Sequence, residues 1–197
     1  MTKKPIILTS LLGICVIFLN LSCCKDCPDC PTYPGEPEPG SYYVFISDGN
    51  QDGPGYIWIV DSKTDSLIDS ILTPDPRITV MDASCDGQYV ATFAQSLGRV
   101  LIYDVDMMDT ITSLSPSGFP AFTPDGLHLL VFSADQVHKY RISDWSLVAS
   151  GTMPSPFIPR DLFNNSPYLV SESPDGKAYC IYDYEQMATV KSDSIVR

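Results

Sequence analysis

Short apolar segments separated by polar turn residues run through most of the chain. In the stretch 81–104, an Asp-Gly turn at 86–87 is followed by an apolar segment at 89–93, a glycine-containing loop and a second apolar segment at 100–103. Apolar runs of this length, bounded by turn residues, are typical of β-strands rather than helices. The pattern therefore predicts pairs of antiparallel strands joined by tight turns.

The same order of segments recurs about every 40 residues from residue 41 to the end of the chain. Each unit contains one apolar strand that ends in a polar residue. A second strand precedes this strand and a third strand follows it. A fourth strand then begins the next unit. The predicted strands are 42–46, 57–61, 66–72, 78–84, 89–93, 100–104, 109–114, 119–123, 129–132, 137–141, 145–149, 157–163, 168–170, 178–183 and 187–191. Such units are the repeat of a β-propeller blade, so the predicted fold is an all-β propeller of about four blades.

The segment 100–104 is apolar at consecutive positions, which indicates a sheet buried on both faces, as a blade is between its neighbours. Two turns, at 123–126 and 173–176, read Thr-Pro-Asp-Gly and Ser-Pro-Asp-Gly. They resemble the SPDG turns of YVTN and WD40-like repeat propellers. This resemblance covers residues 41–197 and implies the fold, but no particular ligand or reaction. The repeat register aligns the turn at 173–176 with the loop at 96–98, so the same turn chemistry is predicted in two different hairpins.

The predicted blades do not close a ring. The first unit begins at its second strand, because the proline-rich segment before residue 41 supplies no first strand. About four blades are also fewer than most propellers of this kind contain. We therefore expect an incomplete ring formed by a truncated chain, with a compact four-bladed ring and two chains that complete one ring as the alternatives. An open arc would leave two apolar blade faces exposed.

Composition narrows the class of protein. Hydrophobic residues make up 44% of the chain and charged residues 18%, which excludes a disordered chain. The 17 prolines and 12 glycines are spread along the sequence and argue against long helices. The formal net charge of −12 repels phosphate backbones, so we expect no nucleic-acid partner.

The N-terminal residues have the pattern of a targeting signal. Lys3 and Lys4 precede an almost entirely apolar segment at 6–21, which is too short for a comfortable transmembrane span and is typical of a secretory signal helix. The segment ends at Cys23 and resembles the signals of bacterial lipoproteins, which are cleaved just before a cysteine that becomes acylated. The resemblance implies a signal peptide at 1–22 and a membrane partner reached through a lipid anchor at Cys23. An ordinary cleaved signal peptide is the alternative.

Cys24 is the alternative acylation site. Ser22, directly before Cys23, is the small residue that the lipoprotein pattern requires, whereas Asn20 departs from that pattern. If Cys24 is acylated, Leu21 lies three residues before it and fits the lipoprotein pattern. Cys23 would then stand directly before the cleavage site, where it does not fit that pattern. We favour Cys23, because the position beside the cleavage site is usually the stricter. Since Cys24 rather than an aspartate would then be the second mature residue, we expect the outer membrane of the cell envelope rather than the inner one.

Residues 23–40 are predicted to form a tether between the anchor and the repeats. Prolines recur every few residues in this segment, which favours extended polyproline II and cannot build a core. Cys24, Cys27 and Cys30 have the spacing of iron–sulfur ligands, but Pro34 stands where the bacterial ferredoxin pattern needs a cysteine. We interpret them as extracytoplasmic thiols, whose pairing with one another or with the two cysteines of the repeats stays open.

One loop has the pattern of a calcium site. Asp48, Asn50 and Asp52 are followed by a glycine and form the opening half of a calcium-binding loop, with oxygen ligands at alternate positions. The EF-hand continuation fails, because its twelfth position is Ile59 rather than glutamate, and Tyr56 occupies the ninth position, where some propeller calcium hairpins have aspartate. A polar hairpin of ordinary turn residues is the alternative interpretation, so Ca²⁺ is a candidate ligand only for this loop.

No catalytic constellation is recognisable. His128 and His138 are the only histidines, and neither has the spacing to Glu or Cys that zinc or general-base chemistry requires. We interpret both as exposed or core-rim residues, and Trp58 and Trp145 as blade packing rather than ligand stacking.

The predicted function is therefore non-enzymatic. We expect a binding or scaffolding module at the cell envelope, because a propeller presents its loops and central channel while its blades only pack. The rival interpretation is an enzyme of the lactonase or quinoprotein-like kind, which needs ligands from many blades. A third is an inactive fragment of a longer propeller.

Overall fold

The computed structural model describes residues 43–47, 55–154, 158–162, 166–173, 175 and 177–194, and for Thr79 and for 158–162 only the backbone. These residues form β-strands joined by turns. The strands are β1 (Tyr43–Ser47), β2 (Gly55–Asp61), β3 (Ser66–Thr73), β4 (Ile78–Ala83), β5 (Tyr89–Ala94), β6 (Arg99–Asp104), β7 (Asp109–Leu114), β8 (Phe119–Phe122), β9 (His128–Ser133), β10 (Gln136–Arg141), β11 (Leu147–Thr152), β12 (Ile158–Leu162), β13 (Tyr168–Glu172), β14 (Ala178–Asp183) and β15 (Ala188–Ser194).

The strands form four antiparallel sheets in which each strand pairs with its neighbours along the chain. We call them blade 1 (β1–β3), blade 2 (β4–β7), blade 3 (β8–β11) and blade 4 (β12–β15). Each predicted strand is found within a few residues of its expected position, and the predicted all-β architecture of four-stranded repeats is confirmed. In the part of the chain that the structure describes, no helix is long and apolar enough to cross a membrane. The signal segment 1–22 and the tether 23–40 lie outside the described residues.

The core consists of three apolar layers, each between the facing sides of two consecutive blades. The first layer joins Phe45, Ile57, Ile59 and Ile71 to Val90, Leu101 and Tyr103. The second joins Ala91, Val100, Ile102 and Leu114 to Leu129, Val131 and Tyr140. The third joins Leu130, Phe132 and Val137 to Leu169, Cys180 and Tyr182. Blades 2 and 3 are thus buried on both faces, which explains their consecutive apolar residues.

The outermost hairpin of each blade has one repeated conformation. Asp104 Oδ1 accepts the backbone N–H groups of Asp106 and Met107 at 2.9 and 3.0 Å, and the equivalent aspartates of blades 1 and 4 do the same. The last turn residue is left-handed in every blade, at φ between 52° and 55°. A register shift in the adjacent strands accompanies it, as in a turn followed by a β-bulge.

In blades 2 to 4 the left-handed residue also contributes to the core. Met108, Trp145 and Met187 pack against the first, second and third apolar layers, respectively. Blade 1 has the polar Asp65 at this position. The turn therefore fastens each of the later blades onto the blade before it.

The Ser/Thr-x-Asp-Gly turns occur in two different hairpins, as predicted. In the turns that join β4 to β5 and β8 to β9, the hydroxyl group of Ser84 or Thr123 donates a hydrogen bond to the aspartate of the turn. The same hydroxyl oxygen accepts a backbone N–H group near the start of the next strand, as Ser84 does from Tyr89 at 2.8 Å. In blade 4 the same contacts close the following hairpin, between β13 and β14, where Ser173 accepts the N–H group of Ala178 at 2.8 Å. These aspartates are part of the turns themselves.

Candidate functional site

Two groups of predicted site residues lie outside the described residues. One is the lipidation site Cys23 with its alternative Cys24. The other is the predicted calcium loop with Asp48, Asn50 and Asp52, which belongs to the segment that connects β1 to β2. Both stay predictions from the sequence. Among the residues that are described, no group of three or more His, Cys, Asp and Glu side chains is arranged to hold a metal ion.

The two histidines lie on different strands and do not converge. His128 begins β9, with Nδ1 3.9 Å from a carboxylate oxygen of Asp125, and His138 on β10 lies with Nδ1 3.1 Å from the hydroxyl of Ser150. Burial lowers the pKa of His138, and burial together with the positive charge of Lys139 lowers the pKa of His128. Both effects favour the neutral form of the rings, and each ring has an ordinary side-chain neighbour.

The tryptophans have different environments. Trp145 meets Tyr89 edge to face, with ring centroids 5.2 Å apart in the second apolar layer, so its interpretation as blade packing is confirmed. Trp58 stacks on Tyr56 at 5.2 Å, on the face of blade 1 that is turned away from blade 2. That face is partly exposed.

The two repeat cysteines lie in different blades. Cys180 is fully buried in the third apolar layer, where burial raises the pKa of its thiol. A buried thiol with a raised pKa is a poor nucleophile. Cys85 is half-buried in the turn between β4 and β5, beside Gly126 of the next blade. Neither thiol is part of a catalytic arrangement of described residues.

Asp82 forms a hydrogen bond across a blade boundary that the sequence analysis did not identify. It lies on β4, which contacts the equivalent strand β8 of the next blade. Asp82 Oδ2 accepts the N–H group of Phe122 at 2.7 Å, and Oδ1 accepts that of Ala83 at 2.9 Å. Burial nevertheless raises the pKa of Asp82 to about 6. The carboxylate positions the inner strands of blades 2 and 3 relative to each other.

Asp75 has a related role in the link between blades 1 and 2. Burial acts to raise the pKa of its carboxyl group, but hydrogen bonds from Arg77 and Leu97 outweigh that effect and the pKa is lowered. The N–H group of Leu97, in the turn between β5 and β6, donates to Asp75 Oδ2 at 3.0 Å. Asp75 thus fixes that turn, and it is committed to the fold rather than to a ligand.

The raised pKa of Asp82 predicts a pH dependence of stability. The folded pKa of about 6 exceeds the usual aspartate value, so between about pH 4 and 6 the folded chain holds a proton that the unfolded chain has lost. The contribution of Asp82 is therefore greatest below about pH 4 and is lost as the pH rises through about 6. We expect Asp82→Asn, measured by urea unfolding across this range, to show a smaller loss of stability on raising the pH than the wild type.

Asp135→Asn is the matched control, because Asp135 lies exposed in the turn between β9 and β10. It should retain the wild-type pH dependence. If Asp82→Asn and the wild type lose the same stability over this range, the carboxyl group of Asp82 is not the origin of the dependence.

The turns fall at two ends of the strands, and the two ends differ in charge. The turns that follow β2, β4, β6, β8, β10 and β14, which we call the acidic end, carry far more acidic than basic side chains. The acidic residues are Asp61, Asp65, Asp86, Asp104, Asp106, Asp109, Asp125, Asp144, Asp183 and Glu185, against Lys63 and Arg141. The described turns at the opposite end, which we call the mixed end, include Arg77, Arg99 and Lys177 among their charged residues. The negative charge of the described turns is thus concentrated at one end of the blades.

Of the comparisons with known proteins, only the one with solved structures finds matches, and it shows the fold. No family model and no curated protein matches the chain. Among solved structures, Kuenenia stuttgartiensis hydrazine synthase is similar with a TM-score of 0.64 and 16% identity over 78% of this chain and 46% of that one. The RRP9 WD40 repeats have a TM-score of 0.62 and 14% identity over 75% and 46%, and U3-55K has 0.60 and 14% over 75% and 47%. The chain thus spans about half the length of these proteins and has the fold of a WD40-like β-propeller.

Proposed function

We propose that the chain is a lipid-anchored module of the bacterial cell envelope that binds or scaffolds a cationic partner through the acidic end of its blades. The observation that carries this proposal is the separation of the two kinds of side chain. The buried apolar residues lie in the three layers between blades, whereas acidic side chains collect in the turns at one end. A rigid scaffold that presents charged loops is suited to binding.

The partner class follows from the charge. Several turn aspartates accept hydrogen bonds from their own backbone, and exposed acids such as Asp106, Asp109 and Glu185 add to the acidic character of this end. Together they produce a field that attracts positively charged groups and repels nucleic acid. A cationic protein segment or a basic peptide therefore fits this end better than an anionic ligand. Lipidation at Cys23 would hold the module outside the cytoplasm, and Ca²⁺ at Asp48, Asn50 and Asp52 stays a separate prediction.

The test uses a fluorescent oligolysine peptide as the cationic probe. We expect it to bind the full chain, with an affinity that falls as the salt concentration rises. The double variant Asp106→Asn, Glu185→Gln removes two exposed charges of the acidic end and should weaken binding about three- to tenfold in fluorescence anisotropy. Loss of affinity should appear mainly in the association rate.

A matched double variant at the other end serves as the control. Asp135→Asn, Asp193→Asn removes the same charge from exposed positions near the mixed end and should leave the affinity near that of the wild type. If both double variants weaken binding equally, the probe responds to net charge alone and the acidic end is not the binding surface.

A further inference from the structure

The two outer blades each present one half of a blade-to-blade interface. Blades 2, 3 and 4 all use the same register positions to pack onto the blade before them, and blades 1, 2 and 3 use another set to pack onto the blade after them. Blade 1 has no described blade before it, and blade 4 has no described blade after it. The positions concerned can be identified from the strand pairing.

On blade 1 the open half consists of Val44, Ile46, Trp58 and Val60. Val44 pairs with Val60, and Ile46 pairs with Trp58, which places all four side chains on one face. The residues in the same register of the later blades are Val90, Thr92, Leu101 and Tyr103, then Leu129, Val131, His138 and Tyr140, then Leu169, Ser171, Cys180 and Tyr182. Almost all of these are fully buried, whereas Val44 is 36% exposed and the other three residues of blade 1 are half-buried.

On blade 4 the open half consists of Tyr168, Val170, Tyr179, Ile181 and Val190. Val170 pairs with Ile181, in the register that Ala91 and Ile102 occupy in the buried layer of blade 2. Tyr168 and Val190 occupy the register of Tyr89 and Ile111, which pack in the same layer. Here Tyr168 is 38% and Val190 57% exposed.

Both halves also carry charged side chains. The left-handed turn residue that fastens a later blade onto its neighbour is Met or Trp in blades 2 to 4, but Asp65 in blade 1. On the open face of blade 4, Lys191 pairs with Ile181 and lies with Nζ 5.7 Å from the ring centroid of Tyr179. Glu172 and Asp193 both pair with Tyr179 and therefore lie on the same open face of blade 4. The halves continue the register of the interface already used three times within the chain, with several apolar positions replaced by charged residues.

We propose that two copies of this chain associate head to tail, with blade 4 of each copy packed onto blade 1 of the other, so that both open halves are covered in one closed ring. A contact between two different surfaces closes when the rotation returns to the starting copy. Two arcs of this kind form a ring of about eight blades, within the range that propellers adopt. A single copy carries both halves, so a second copy of this chain can supply the partner of each.

The test is the mass of the full chain in density-matched detergent, measured by sedimentation equilibrium. We expect twice the mass of one chain. Trp58→Asp on blade 1 and Ile181→Asp on blade 4 each place a charge in both contacts of the ring, and each should raise the dissociation constant at least about tenfold. Met107→Asp, at a 68% exposed position away from both faces, is the control and should remain a dimer.

The two variants also distinguish head-to-tail association from a symmetric contact. If blade 1 packed on blade 1, Ile181→Asp would leave the dimer intact, and if blade 4 packed on blade 4, Trp58→Asp would do so. Mixing the two variants restores one unaltered contact in the head-to-tail arrangement, so dimers should reappear in the mixture. A monomeric wild type, or a dimer that only one variant disrupts, overturns the proposal, provided that circular dichroism shows both variants to be folded.

Discussion

Replacing Leu129 with alanine should lower the free energy of unfolding by about 2–5 kcal/mol. Leu129 is 0% exposed and lies in the second apolar layer, where it faces Val100 and Ile102 of the preceding blade. The truncation removes buried methyl groups and leaves a cavity between two sheets that are each held by strand pairing. Because rigid sheets cannot collapse around such a cavity, we expect a cost in the upper part of this range.

Leu127 provides the matched control two residues away. It is 60% exposed in the turn between β8 and β9, so Leu127→Ala changes the same atoms without opening a cavity and should cost less than about 0.5 kcal/mol. Urea unfolding followed by circular dichroism measures both variants. Equal effects at the two positions would contradict the assignment of Leu129 to the core between blades 2 and 3.

The position of this layer makes the Leu129 result informative about cooperativity. In a repeat architecture each blade contacts mainly its neighbours, so stability is a sum of blade and interface contributions. The second layer is the middle one, and weakening it separates blades 1 and 2 from blades 3 and 4. If the chain unfolds in one step, Leu129→Ala shifts a single transition, whereas two transitions in the variant would indicate that each half retains its own layer.

The strands could be predicted because their pattern is local. Apolar runs such as 100–104 and turns such as Asp86-Gly87 fix a strand or a hairpin within a few residues of sequence, and the structure has each of them. The recurrence of this pattern about every 40 residues then predicted the blades. Even the unusual placement of the Ser-x-Asp turn in blade 4 followed from the register, because that turn depends only on contacts within one hairpin.

The contacts between blades could not be predicted in the same way. The hydrogen bond from Phe122 to Asp82 joins residues of different blades, and no local pattern distinguishes Asp82 from the turn aspartates. The local pattern does not indicate that the left-handed residues Met108 and Met187 pack against the core, and Met187 was predicted as the first residue of a strand. Their roles depend on how the sheets stack. The predicted lipidation site at Cys23 and the predicted calcium loop with Asp48, Asn50 and Asp52 lie outside the described residues and remain predictions.

The third layer contains a close approach between blades 3 and 4. Gly151 on β11 lies directly against the carbonyl oxygen of Met187 and the hydroxyl group of Tyr182, both in blade 4. A Cβ atom at this position would overlap both oxygen atoms. The glycine is therefore required by the approach of the left-handed turn of blade 4 rather than by its own backbone conformation. This contact is the point at which blade 4 is fastened to blade 3.

Gly151→Ala should accordingly lower the free energy of unfolding by about 1–3 kcal/mol, because the two blades must move apart to accept the methyl group. Gly98→Ala is the control, since a Cβ atom at Gly98 meets nothing within 4 Å and only its φ of 61° causes strain.

Hydrogen exchange separates the two effects: Gly151→Ala should increase exchange in β13 and β14 but not in β5 and β6, because only the third layer is disturbed. Adding Tyr182→Phe removes one overlapping oxygen and should recover part of the loss, a coupling that a double-mutant cycle measures. Strictly additive effects, or uniform exchange along the chain, would show that blade 4 is not fastened at this contact.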